Sequence, residues 1–475
     1  MKLVRALQRG RKVVPSLQSQ PTRSIPLLSR PLSAAALSSS PASAVAQRQH
    51  QYSPRTALTF SSASSKATRR HGSSAAADEL LEKTPLYDLH LAHGAKMVPF
   101  GGFHMPSVSQ SHHFTRTYAS LFDVGHMVQH RFSGPSAAAF LERVTPAALG
   151  PLPVGSSTLN MLLWPGTGGI VDDCIITKLA DDAFYVVTNA ACREKDDKYL
   201  AHQLADWKLN VDSEARLVHE VLDGWGLVAL QGPLSEEILS SILVAPEESK
   251  LRELYFGQCR PVMVRVRGAE LSQPILVSRG GYTGEDGFEI SIPPADTVSV
   301  TEALLEAAGP EKLQFAGLGA RDSLRLEAGM CLYGHDLDDT TTPVEAALGW
   351  AVGKTRRDPA AKNPFHGAEV ILPQLTPKSK GGAGVSRRRV GLVVEGAPAR
   401  EGAEIVDSSG QKIGVVTSGC PSPTLGKNIA MGYIRDGSHK AGTELEVLVR
   451  GRKRKAVVTK MPFVPSKYWR GTAPA

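Results

Sequence analysis

The sequence predicts an α+β protein that ends in an all-β unit, and three observations carry that expectation. Strand-like and helix-like segments interleave without a strict βαβ rhythm. Beyond residue 386 only short strands remain, separated by Gly, Ser, Asn and Asp turns. The chain has 475 residues, too many for a single hydrophobic core.

The elements follow in order. Residues 80–94 (LLEKTPLYDLHLAHG) read as a short helix or turn entering the fold. Strands are expected at MVQHRFSG, CIITKLA and AFYVVTN, and helices at SAAAFLERV (136–144) and REKDDKYLAHQLADWKL (193–209). LVALQGP opens a second unit, with the helix SEEILSSIL and strands around VMVRV and PILVSRG. The helix TEALLEAAG stops at Gly309. Residues 374–386 (QLTPKSKGGAGVS) have linker composition. The domain division is therefore a leader at 1–77, an α+β region at 78–373, the linker, and a β unit at 387–475.

Charge separates the leader from the rest. The net charge is +8, yet residues 1–77 hold twelve Lys or Arg and no acid. Without them 42 basic residues face 46 acidic ones, a net of −4. A basic, acid-free leader rich in Ser and Ala is the composition of an organellar transit peptide, and mitochondrial import is expected. No apolar run reaches the roughly 18 residues of a membrane span. Five cysteines without a C-x-x-C fit a reducing compartment such as the mitochondrial matrix.

Three segments carry candidate chemistry. In GGYTGEDGFEISI (280–292), Phe288, Ile290 and Ile292 alternate with Glu289 and Ser291. Glu289 is then either a wet-face carboxylate or a pocket residue. In GTGGIVDDCIITK (166–178), Asp172 and Asp173 fall on opposite faces of a strand, so they either cap a turn or turn one carboxylate inward. In AGLGARDSLRLEAGM (316–330), Arg321 and Arg325 share a partly apolar helix face. Arg321 either grips a carboxylate or phosphate by a two-pronged hydrogen bond or pairs with Asp322 or Glu327 of its own helix.

Other functions are disfavoured. His112, His113, His126 and His130 lack metal-ligand spacing, and the last two are expected on one strand, so no metal is expected. No glycine fingerprint supports a nucleotide cofactor. The basic runs Arg387–Arg389 and 450–455 lack interleaved aromatics and read as solvated barrel edges, so no nucleic-acid or membrane partner is expected. Docking of an acidic protein remains open for them.

Taken in order, KTPLYDLHLAHGAKMVPFGG, SLFDVGHM, GGIVDDCIITK, FYVVTNA, LVALQGP, GYTGEDGFEIS, GLGARDSLRLEAGMCLYGHDLD, TTPVEAALGWAVGK, RRRVGL, GVVTSGCPSPTLGKNIAMGYI and MPFVPSKY resemble the aminomethyltransferase family, the T-proteins of the glycine cleavage system. The resemblance covers about Lys83 to Tyr468. It implies a three-lobed cloverleaf folate-binding fold with a C-terminal β-barrel. It also implies transfer of a one-carbon unit from the aminomethyl-lipoyl arm of the H-protein to tetrahydrofolate, alongside the other components of the system. Carried over by position, Asp173 is the catalytic carboxylate. Glu289, Arg321, Tyr185, Asn189, Met127, Leu159 and Tyr468 line the folate pocket. Two departures stand out: HMPSVSQSHHFTR is shorter than the family's loop, and Gly125 replaces a serine. Folate-dependent demethylases share the fold but carry a flavin-binding half. Folate-binding iron–sulfur scaffolds share it too, and GMCLYGHD only partly matches their cysteine motif.

Overall fold

The computed structural model describes residues 81–107, 111–211, 216–360 and 364–471. The leader expected at 1–77 lies outside the described residues, as does the middle of the shortened loop at 108–110.

Two twisted sheets lie face to face. One has six strands in the order Cys259–Val262, Ile275–Arg279, Gly287–Ile292, Gly226–Gln231, Ala119–Asp123 and Leu313–Ala316. Its pairs are antiparallel except the last, which is parallel. Alternation decides its faces: Phe288, Ile290 and Ile292 are sealed in a core with Ile238, Leu239, Val300 and Leu304 of two covering helices. The second sheet has five strands in the order Ser156–Leu163, Ile170–Ala180, Ala183–Thr188, Val128–Ser133 and Val218–Val221. Helices Ala137–Val144 and Arg193–Asn210 cover its outer face through Phe140, Leu141, Tyr199 and Trp207.

The inner faces share a third core of Phe122, Val124, Tyr185, Val187, Leu227, Ala229 and the Leu324 side of helix Leu318–Glu327. The side of Gly287–Ile292 that bears Glu289 and Ser291 therefore meets the other sheet, not water. Gln129 stitches the two sheets: its Oε1 accepts from Tyr185 OH at 2.8 Å and from Ser291 Oγ at 2.6 Å.

The C-terminal strands close into a six-stranded barrel, Arg387–Val394, Lys427–Arg435, Lys412–Ser422, Glu404–Val406, Glu444–Val449 and Arg452–Thr459. Closure removes every free edge, which corrects the edge-strand reading of both basic runs. The first run is only partly solvated. Arg389 is buried and donates to Ala346 O at 2.8 Å and Gly329 O at 3.0 Å. Arg387 and Arg388 reach Glu345 and Asp436. The second run is exposed along the outer wall.

Smaller corrections concern boundaries. The strand expected at VMVRV covers Cys259–Val262 and ends there. His126 precedes the strand that holds His130. The segment 374–386 begins as the last turn of helix Ala368–Leu375 and includes a 3-10 turn at Lys378–Lys380.

Candidate active site between the two sheets

The strand Ile170–Ala180 places Asp172 and Asp173 back to back, as the period of two requires. Asn189, just past the end of the neighbouring strand, joins them. Its backbone N–H donates to Asp172 Oδ2 at 2.8 Å, and its Nδ2 donates to Asp172 Oδ1 and Asp173 Oδ1, both at 2.9 Å. Among the described residues neither aspartate therefore caps the glycine turn before the strand. Asp173 Oδ2 accepts no hydrogen bond among the described residues. Burial and then the charge of Asp172 push the Asp173 carboxyl up to about 7, against the pull of the Asn189 amide. Such a group exchanges a proton readily near neutral pH.

Glu289 sits half-buried in the middle of the first sheet, paired with Ala229 and Ser278 on its two neighbours. Its carboxylate accepts no hydrogen bond from the described residues. Burial raises its pKa, and the attraction of Arg321 opposes the rise. Arg321 lies with its guanidinium 4.6 Å from the Tyr282 ring centroid and donates no hydrogen bond to a described residue. The within-helix pairing open to it goes instead to its neighbour: Arg325 binds Asp322 at 2.7 Å and Asp336 at 2.8 Å. Glu327 binds Arg116. The Tyr282 hydroxyl donates to Cys331 O, and its ring lies within the field of both Arg321 and Asp173. Burial and then Arg321 press His126 down to about 4, so it is neutral at physiological pH.

A cavity of about 540 Å³ opens beside Arg321 and Tyr282, walled by Phe100, Leu318, Leu332 and barrel residues Thr417 and Ser418. Neither Asp173 nor Glu289 lines it. A larger cavity of about 1010 Å³ along helix Arg193–Asn210 is lined by none of the expected site residues.

The other expected residues divide. Tyr185 faces the inter-sheet core, its hydroxyl committed to Gln129. Met127 packs partly buried against the same core. Leu159 is half-buried opposite Ile175. Tyr468 stacks on Phe256 at 4.1 Å. Its tail is tied to the glycine-rich turn by Lys467 N–H to Gly284 O at 2.8 Å and Trp469 N–H to Asp286 at 3.1 Å. Leu159 and Tyr468 make no hydrogen bond or ring contact with Asp173, Glu289 or Arg321. That turn needs glycine: at Gly281, φ is +154° and a Cβ would overlap the Gln231 amide. Sequence reasoning missed Gln129 and Tyr282. Gln129 carried a usable signal, a polar residue amid the apolar positions of a strand.

Among the described residues no group of three or more His, Cys, Asp or Glu is arranged to hold a metal ion. Among them, too, no helix is long and apolar enough to cross a membrane.

Two sheets packed on a shared core and joined to a closed six-stranded barrel define the fold, and comparison with known proteins gives its class. Residues 86–356 match the GCVT N-terminal domain, and residues 387–465 match the glycine cleavage T-protein C-terminal barrel domain. The chain is 46% identical over 404 residues to a probable mitochondrial aminomethyltransferase of Schizosaccharomyces pombe, covering 84% of this chain and 97% of that one. It is 44% identical over 400 residues to the mitochondrial aminomethyltransferase of Pisum sativum, covering 83% and 92%. The crystal structure of glycine cleavage system aminomethyltransferase T from Bartonella henselae superposes with a TM-score of 0.70 at 37% identity, covering 82% of this chain and all of that one. The chain belongs to the glycine cleavage T-protein family. It is a mitochondrial enzyme with aminomethyltransferase activity in the glycine cleavage system.

Proposed function

We propose that the inter-sheet site accepts the aminomethyl group carried on the lipoyl arm of the H-protein and transfers its carbon to tetrahydrofolate. The products are 5,10-methylenetetrahydrofolate, ammonia and the dihydrolipoyl carrier. The observation that carries the reading is Asp173: one oxygen is held by Asn189, the other is open, and its proton affinity is near neutral. Tetrahydrofolate supplies the nucleophilic nitrogens. Two carbon–nitrogen bonds to folate form as the carbon's bonds to ammonia and to the lipoyl sulfur break, and the two folate N–H protons end on ammonia and on that sulfur. Asp173 stabilises the positive charge that develops as ammonia leaves, takes a proton from the attacking folate nitrogen and passes it to the departing thiolate.

Glu289 and Arg321 fit a flat ligand because both are half-buried and neither is satisfied by the protein. A carboxylate with two open oxygens matches the adjacent N–H donors of a pterin ring. Arg321, held over Tyr282, offers donors to the same ligand. Tyr185, Asn189, Met127, Leu159 and Tyr468 complete the pocket in this reading, with Tyr468 on its rim. The reading uses no metal and no nucleotide cofactor. Residues 78–373 hold the chemistry, 374–386 connect, 387–475 close the site as the barrel, and 1–77 direct import.

The test is ammonia release from aminomethylated lipoyl H-protein, with and without tetrahydrofolate. Slow release alone and much faster release with folate is expected. Folate binding without acceleration would overturn the transfer reading and favour a folate-binding scaffold.

A further inference from the structure

Behind Asp173 lies a pair of carboxyls that the reaction as written does not use. Asp172 meets Asp196, from the first turn of helix Arg193–Asn210, and both residues are 0% exposed. The helix register explains the encounter. Asp196, Tyr199, Leu200, Gln203 and Trp207 form its buried stripe, so an acid occupies the first position of a core-facing face. Both Asp196 oxygens are sealed from solvent, and no N–H or O–H donates to them at ordinary hydrogen-bond length. Their neighbours are the Asp172 carboxyl and the Thr188 hydroxyl. Lys195, one residue earlier, points elsewhere and binds Tyr333 OH at 2.5 Å and Asp339 at 3.1 Å.

Two adjacent buried anions repel by about 4 kcal/mol at 4 Å even in an effective dielectric of 20. The pair therefore retains a proton. Geometry assigns it. Asp172 accepts two N–H groups of Asn189 and is the better anion, whereas Asp196 accepts none and is the acid. Burial, and then the Asp172 charge, push Asp196 up to about 10.

We propose that Asp196 is a positioning residue. As a standing acid it donates to Asp172, keeps Asp172 ionised and turned onto Asn189, and so sets where Asp173 points and how readily it takes a proton. This rests on Asp173 being the reacting carboxylate. The other groups around Asp173 are Tyr282, Cys331 and Asp336. Burial raises the first two and keeps them neutral, and Arg325 holds Asp336 at 2.8 Å. Around the acid pair, the thiols of Cys174 and Cys192 and the Tyr333 phenol are likewise raised and neutral. The field of Lys195 opposes the rise at Asp196.

The sign follows. Without the Asp196 donor, Asp172 holds its own proton more tightly and loses charge. A neutral Asp172 no longer opposes ionisation of Asp173, whose limb in the pH–rate profile then moves to lower pH. In Asp196→Ala, kcat should fall about tenfold. The acid limb should move down by about one pH unit, with KM for folate unchanged. Asp196→Asn keeps an N–H donor and should restore both rate and limb. A folded Ala variant with native rate and native limb would overturn the proposal.

Infrared spectroscopy gives a reading that does not depend on the Ala variant folding or on turnover. At mildly alkaline pH the native chain should show a protonated-carboxyl C=O band that Asp196→Asn lacks. No difference between the two spectra overturns the proposal and leaves the role of Asp173 standing. Full turnover by Asp173→Asn, with the band present, strikes the Asp173 reading and the positioning role with it.

Discussion

Two buried clusters of charge stand near the two ends of helix Leu318–Glu327, and they are built in opposite ways. At the helix end Glu327 is fully buried, yet it accepts from Arg116 at 2.7 Å, Ser422 Oγ at 2.5 Å, and Thr424 N–H and Oγ1 at 3.1 and 2.7 Å. Burial alone would raise its pKa, but His112 and these donors more than offset that and hold it well below the carboxylate range. Arg279 is treated likewise, gripped by Asp286, Glu236 and two backbone carbonyls. Near the helix start Arg321 and Glu289 attract one another without a hydrogen bond, and Asp173 keeps an oxygen open. The saturated cluster locks barrel to sheet. The unsaturated one leaves capacity for a ligand and a proton. Burial is common to both, so it does not identify the site; incomplete pairing does.

The contrast breaks most visibly at Glu327. Glu327→Gln removes one of the two buried anions of Arg116, Glu285 at 3.0 Å being the other, and should cost about 3 kcal/mol, read by denaturant unfolding. Its lowered pKa fixes the pH sense. The native contribution is present above the ordinary carboxylate range and is lost as pH falls through the folded value, so the native chain should lose stability in acid more steeply than the variant.

At the unsaturated cluster the cost should fall on binding instead. Glu289→Ala should weaken folate binding by about 1.5–3 kcal/mol, measured by titration calorimetry, with little change in stability. Native affinity in that variant would return Glu289 to a structural role.

Asp196 sharpens the same contrast in the alkaline direction. Its folded pKa is raised, so the unfolded chain binds fewer protons above the carboxylate range. Native stability should therefore decline from there up to about pH 10. Asp196→Asn should flatten that slope in thermal unfolding followed across pH. The smallest effect belongs to the outer basic run. Lys453 is half-exposed and pairs with Glu446, so Lys453→Ala should change unfolding stability by under about 0.5 kcal/mol.

Much of this architecture was legible in the sequence because strand alternation is a local signal. Phe288, Ile290 and Ile292 announced a core face, and Asp172 and Asp173 announced opposite faces. What alternation does not say is what covers the second face. Glu289 read equally well as wet until the second sheet was seen against it, a contact made by residues more than a hundred positions away. Asp196 was hidden for a related reason. In REKDDKYLAHQL, acids and bases crowd the helix on every side, and only the spacing to Tyr199, Leu200, Gln203 and Trp207 singles one acid out. Arg387–Arg389 misled because three adjacent arginines look solvated. Their partners, Glu345, Asp436 and Ala346 O, come from distant segments that no local pattern displays.

The central claim is that Asp173, left incompletely paired, does the proton work of the transfer. The most direct test is the pH–rate profile of ammonia release for the native chain and for Asp173→Asn, at saturating carrier and folate. The account predicts a limb near pH 7 in the native profile. In the variant that limb should vanish and kcat should fall at least about 100-fold, with folate affinity retained. Native turnover with the same limb in Asp173→Asn would contradict it.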